Sequence, residues 1–97
     1  MIMADKFTKW EDFEKELNIT PEQEAEIRLE MELIEATIEA RKKCNLSQRE
    51  LSEKSGIKQP AIARIEKQSH SPQVATLMRL LYSMGYTLRV VPLEDVE

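Results

Sequence analysis

Two residue types that often announce catalysis or metal binding occur once each, as Cys44 and His70. A nucleophile needs a base beside it, and a zinc cage needs several soft ligands, so neither arrangement can be assembled from this pair. Cys44 falls at a helix end beside Lys42 and Lys43 and reads as a semi-buried, inert thiol. His70 sits among serines in a polar loop. Carboxylates are dense over 22–35, but at these helical spacings they read as a solvated face. The sequence therefore predicts no catalytic residue, no metal site and no cofactor.

Residues 48–67 carry a different chemistry. Lys58, Gln59, Ala61, Ala63, Arg64 and Lys67 are expected on the exposed face of a short helix, which is then basic, carries an amide and has small alanines. The DNA major groove admits one α-helix, where Arg can bind a guanine edge bidentately and Gln an adenine edge. Gln48 and Arg49 open the preceding helix, where backbone N–H groups and polar side chains meet phosphate. An ordinary helical corner with a solvated basic face would use the same spacing. The lack of any acid between Glu53 and Glu66 favours double-stranded DNA, contacted by Gln48, Arg49, Lys58, Gln59, Ala63, Arg64 and Lys67.

Several elements must position that face. Leu51, Ile57, Ile62 and Ile65 are spaced to pin two short helices to each other, with Gly56 making the turn between them. The first of the two, Gln48 to about Ser55, opens on Ser47, and Glu50 three residues on completes a capping box. The second runs from about Gln59 to Lys67. Upstream, Thr20 caps a long helix from Pro21 to about Lys43, with Gln23 as the reciprocal partner. Its apolar stripe is Ile27, Met31, Ile34 and Ile38, flanked by Leu33, Ala36 and Ala40; Asn45 stops it. Downstream, Ser71 as cap and Pro72 at the first position open a helix to Met84, which buries Leu77, Leu80, Leu81 and Met84. Residues 86–91 then alternate like a strand, with Tyr86, Leu88 and Val90 on one face.

A chain of 97 residues, 41% apolar and 33% charged, suits one small domain with a thin core. No apolar run is long enough to cross a membrane, and Met1 to Trp10 has no secretory pattern, so a cytoplasmic location is expected. The net charge of -4 hides a strong asymmetry. Residues 1–40 hold twelve acids against four bases, a net -8, whereas 41–90 hold ten bases against three acids, a net +7. Two solvated faces would look the same, but such a split also suits two partners of opposite charge.

The run Leu46-Ser-Gln-Arg-Glu-Leu-Ser-Glu-Lys-Ser-Gly-Ile-Lys-Gln-Pro-Ala-Ile-Ala-Arg-Ile-Glu resembles the Xre (lambda-repressor-like) helix-turn-helix family over about residues 33–85. More narrowly, Gln-Pro-Ala-Ile-Ala-Arg-Ile-Glu, a Ser-Pro loop, a Leu-rich helix and a short strand look like HigA-type antitoxins. That resemblance implies an all-α, lambda-repressor-like helix-turn-helix bundle with an N-terminal helical extension and a short C-terminal β-strand. It also implies operator DNA as one partner and a small basic RelE- or HigB-like ribonuclease toxin as another. By the same resemblance, Gln48, Gln59 and Arg64 fall where the family contacts DNA. Lys58 departs from the family's usual Ser or Thr cap and suits phosphate better than a base.

The organisation expected is an aromatic and acidic extension over 1–20, a helix-turn-helix domain over 21–92 with the motif at 48–67, and an acidic tail over 93–97. A short helix from about Asp5 to Leu17 would place Phe7, Trp10, Phe13 and Leu17 together beside Glu11 and Glu14. These six residues are the expected toxin contacts, since aromatic anchors dominate interface energetics. Folding of the same aromatics back onto the long helix is the competing reading. A homodimer is expected through Leu80, Met84, Leu88 and Val90. The functional alternative is a stand-alone Xre-type repressor with no toxin partner.

Overall fold

The computed structural model of the chain describes residues 18–69 and 71–95. The helix expected over 5–17, its residues Phe7, Trp10, Glu11, Phe13, Glu14 and Leu17, and His70 lie outside the described residues. Four α-helices follow in order: α1 (Pro21–Lys43), α2 (Gln48–Ser55), α3 (Gln59–Glu66) and α4 (Val74–Ser83), then a 3-10 turn at Leu93–Asp95. The chain divides into two compact units, Met1–Glu30 and Met31–Glu97, and the helix-turn-helix lies in the second.

Local hydrogen bonds set most of the helix ends. At α1 the Thr20 hydroxyl accepts from the Gln23 amide at 3.1 Å, while the Gln23 side chain accepts from the Thr20 amide at 3.0 Å. At its other end Asn45 takes a positive φ of 57°, and the Leu46 amide donates to the Arg41 carbonyl at 3.1 Å. Gln68 and Gly85 repeat that left-handed closure after α3 and α4, with Ser69 and Tyr86 donating back to Arg64 and Leu81. The last carbonyls of these helices are thereby satisfied without solvent.

The core of the second unit is built from Ile34 and Ala40 on α1, Leu51 on α2, Ile62 and Ile65 on α3, and Leu80 and Leu81 on α4, with Met84 just beyond it. Ile38, Leu46, Ile57 and Leu88 pack against it. Thr37 is also buried, and its hydroxyl donates to the Leu33 carbonyl at 2.7 Å, which removes the cost of burying it.

Several expectations change. Only the later part of the α1 stripe is buried; Ile27 and Met31 are each 43% exposed. The last helix opens at Val74 with Gln73 extended as its N-cap, not at Pro72 with Ser71 capping. Proline's fixed φ suits an extended approach as well as a first helical turn, so Pro72 alone cannot fix the start. Among the described residues there is no β-strand: 86–92 runs without ladder pairing, and no other described segment pairs with it. Leu80 and Met84, expected on a dimer face, belong to the chain's own core; Val90, by contrast, is 98% exposed. Cys44 is exposed instead of semi-buried.

Candidate nucleic-acid interface

The turn between α2 and α3 is fixed by local chemistry on both sides. Ser47 and Glu50 form the reciprocal capping box, with bonds of 3.0 and 2.8 Å. Gly56 closes α2 at φ 81°, a conformation costly for any residue with a Cβ, and donates to the Ser52 carbonyl. The Ser55 hydroxyl then accepts from the Ile57 amide at 3.1 Å and turns the chain toward α3. Lys58 is the N-cap of α3 and makes no side-chain cap bond, which leaves its ammonium exposed at the helix entrance. Pro60 in the first turn costs nothing, since its missing N–H would have had no helical partner.

Ile62 and Ile65 bury one side of α3. The opposite side carries Gln59, Ala63, Arg64 and Lys67, whose spacing places them on one exposed arc of the helix. Gln59, Arg64 and Lys67 are exposed, and Ala63 is half-buried between them. Arg49 is exposed at the start of α2. Ala61 is half-buried and lies off this arc by its helical position.

Gln48 does something the sequence did not reveal. It is half-buried, and its amide nitrogen donates to the Glu66 carboxylate at 2.9 Å. Glu66 is itself held by Arg41 of α1 in a two-pronged ion pair, with bonds of 2.8 and 3.0 Å. The third Arg41 nitrogen donates to the Leu46 carbonyl at 2.8 Å. Both side chains of the pair are nearly enclosed, 14% and 10% exposed, so removing either would leave the other's charge buried without its ion-pair partner.

This relay orients the amide that faces outward. A carboxylate can only accept, so Gln48 must turn its nitrogen to Glu66 and its oxygen away. That oxygen accepts from the Gln59 amide nitrogen at 2.8 Å. One Gln59 proton is thereby committed, while its second proton and its oxygen stay available. Those two groups, a donor and an acceptor, are what an adenine edge requires in the major groove. The expected DNA contacts Gln59, Arg64 and Lys67 thus share one face with Ala63, and Gln48 braces that face from behind. The Arg41–Glu66 pair escaped sequence reasoning because its partners are 25 residues apart. Their only visible signal is an acid standing alone in an otherwise basic stretch.

Among the described residues no group of His, Cys, Asp and Glu could hold a metal, and no helix is long and apolar enough to cross a membrane. The geometry is that of a DNA-binding helix-turn-helix domain. Residues 38–91 match the helix-turn-helix model of the Xre type, and the chain belongs to this family of DNA-binding regulators, which are not enzymes. It is 42% identical over 86 residues to an uncharacterized HTH-type transcriptional regulator of Haemophilus influenzae, covering 89% of this chain and 87% of that protein. It is also 37% identical over 59 residues to antitoxin HigA1 of Mycobacterium tuberculosis, covering 61% of this chain and 40% of that one. Among solved structures, a chain of a toxin–antitoxin module from Streptococcus pneumoniae superposes with a TM-score of 0.67 at 41% identity, covering 88% of this chain and 93% of that one.

Proposed function

We propose that this protein is the antitoxin of a two-protein pair. It binds and neutralises a small basic RelE- or HigB-like ribonuclease and represses its own operon through α3. The observation that carries this reading is the 41% identity, across 88% of the chain, to a chain of a toxin–antitoxin module. The charge split supports it. An RNA-cleaving protein must present positive potential to phosphates, and that field draws an acidic segment toward it.

On the DNA side, Gln59 and Arg64 read base edges, Ala63 allows close approach, and Arg49, Lys58 and Lys67 neutralise phosphates. On the toxin side, Phe7, Trp10, Phe13 and Leu17 supply apolar anchors, with Glu11 and Glu14 setting orientation. The start of α1 continues that character, with exposed Ile27 and Leu29 between Glu22, Glu26 and Glu32. Removing residues 1–20 is the test. The truncated protein is expected to retain operator binding and to lose protection of translation against the toxin. Full neutralisation by the truncated chain would displace the toxin site from the N-terminus.

A second reading, a stand-alone repressor, is favoured by the Haemophilus relative, which is named a transcriptional regulator and is covered over 87% of its length. The neighbouring open reading frame separates the two: an adjacent small basic protein supports the antitoxin, and a gene standing alone supports the repressor.

A further inference from the structure

The hydrogen bonds behind α3 form one directed chain. Gln59 donates to the Gln48 oxygen at 2.8 Å, and Gln48 donates to Glu66 Oε1 at 2.9 Å. At the inner end Arg41 places Nη2 against Oε1 at 3.0 Å and Nε against Oε2 at 2.8 Å. A glutamine amide both donates and accepts, so either amide alone could stand either way round. The carboxylate has no such choice. The direction of both amides is therefore decided at Glu66, two side chains away from the exposed tip of Gln59.

We propose that Glu66 is a positioning residue that sets which base Gln59 reads, without touching DNA itself. The inference rests on the reading of α3 as the helix that enters the major groove. With the chain in its observed direction, Gln59 offers outward one proton and its oxygen. Adenine matches both, through its N7 acceptor and its N6 amino group. Guanine presents two acceptors, N7 and O6, so its O6 would meet the Gln59 oxygen, acceptor against acceptor. The reverse direction would turn the Gln59 oxygen inward to Gln48 and both Gln59 protons outward, which guanine accepts. In the wild type that reversal would press the Gln48 oxygen against the Glu66 carboxylate in a nearly enclosed site. A charged group would lose its donor there, which is costly.

Two substitutions act on the direction in different ways. Gln48→Lys keeps the Arg41–Glu66 pair and inserts a side chain that only donates. Its ammonium can bond Glu66 and the Gln59 oxygen together, which forces Gln59 to turn its amine outward. Glu66→Gln replaces the carboxylate with an amide that can meet Gln48 as donor or acceptor, so both directions become available.

The test is competition binding of the full-length protein to its own promoter DNA, with all four base pairs placed in turn at each position of the site. Gln59→Ala identifies the position that Gln59 reads. There the wild type is expected to prefer adenine over guanine by about tenfold or more. Gln48→Lys should invert that preference, and Glu66→Gln should narrow it. Each preference is a ratio of affinities within one sample, so a loss of folded protein cancels. A bracing role alone would weaken binding to all four base pairs alike. An adenine preference unchanged in Gln48→Lys or in Glu66→Gln would overturn the inference and leave α3 as the reading helix. A wild type with no adenine preference at any position sensitive to Gln59→Ala would overturn the assignment of Gln59 to a base, and the inference with it.

Discussion

Helix α3 and the segment 86–91 belong to the same compact unit and differ in how much of their structure the chain supplies for itself. Helix α3 is held from within at three places: Ile62 and Ile65 fill the core, Gln68 and Ser69 close its end, and Gln48 holds Gln59. What it leaves exposed is polar and basic, a surface stable in water and ready for a charged polymer. The segment 86–91 leaves backbone donors unpaired and Val90 bare. The contrast separates two kinds of exposed surface. One is polar and braced from within; the other combines a bare apolar side chain with unpaired backbone donors.

The completeness of α3 is breakable at its base. Glu66→Ala strands the Arg41 guanidinium in a nearly enclosed site and releases Gln48, and is expected to cost about 3–5 kcal/mol in urea denaturation. Leu51, with 0% exposure at the centre of the core, should lose about 2–5 kcal/mol on truncation to Ala. The counterpart substitution Val90→Ala should change the stability of the single chain by less than about 0.5 kcal/mol, because Val90 is 98% exposed. Between these extremes lies the coupling between Gln48 and Gln59. A double-mutant cycle on operator affinity with Gln48→Ala and Gln59→Ala should give an interaction of about 0.5–3 kcal/mol. Strict additivity would mean that Gln48 does not orient its neighbour.

The same contrast explains what could be read from the sequence. Both capping boxes, Thr20 with Gln23 and Ser47 with Glu50, close within four residues, so residue types alone reveal them. The ends of α1 and the turn at Gly56 were legible for the same reason. The face of α3 was legible because Ile62 and Ile65 fix which side is buried. The Arg41–Glu66–Gln48–Gln59 relay was not, since it joins residues of three helices that only packing brings together. Leu80 and Met84 read equally well as core or as dimer surface, because an apolar residue does not say which neighbour will cover it. The strand over 86–91 failed on a related point. Alternation gives a segment its two faces, but a strand also needs a partner, and the described residues offer none.

In the proposed function, α3 reads DNA sequence through Arg64 and Gln59, with the surrounding cations supplying affinity alone. The most direct measurement is the affinity of wild type, Arg64→Ala and Lys67→Ala for the protein's own promoter DNA and for unrelated DNA, each as a function of salt. Arg64→Ala is expected to lose about 1–3 kcal/mol on the promoter and to narrow the gap to unrelated DNA. Lys67→Ala should weaken both DNAs alike and reduce the salt slope by about one. If Arg64→Ala binds both DNAs as wild type does, with no change in specificity, α3 is not the reading helix.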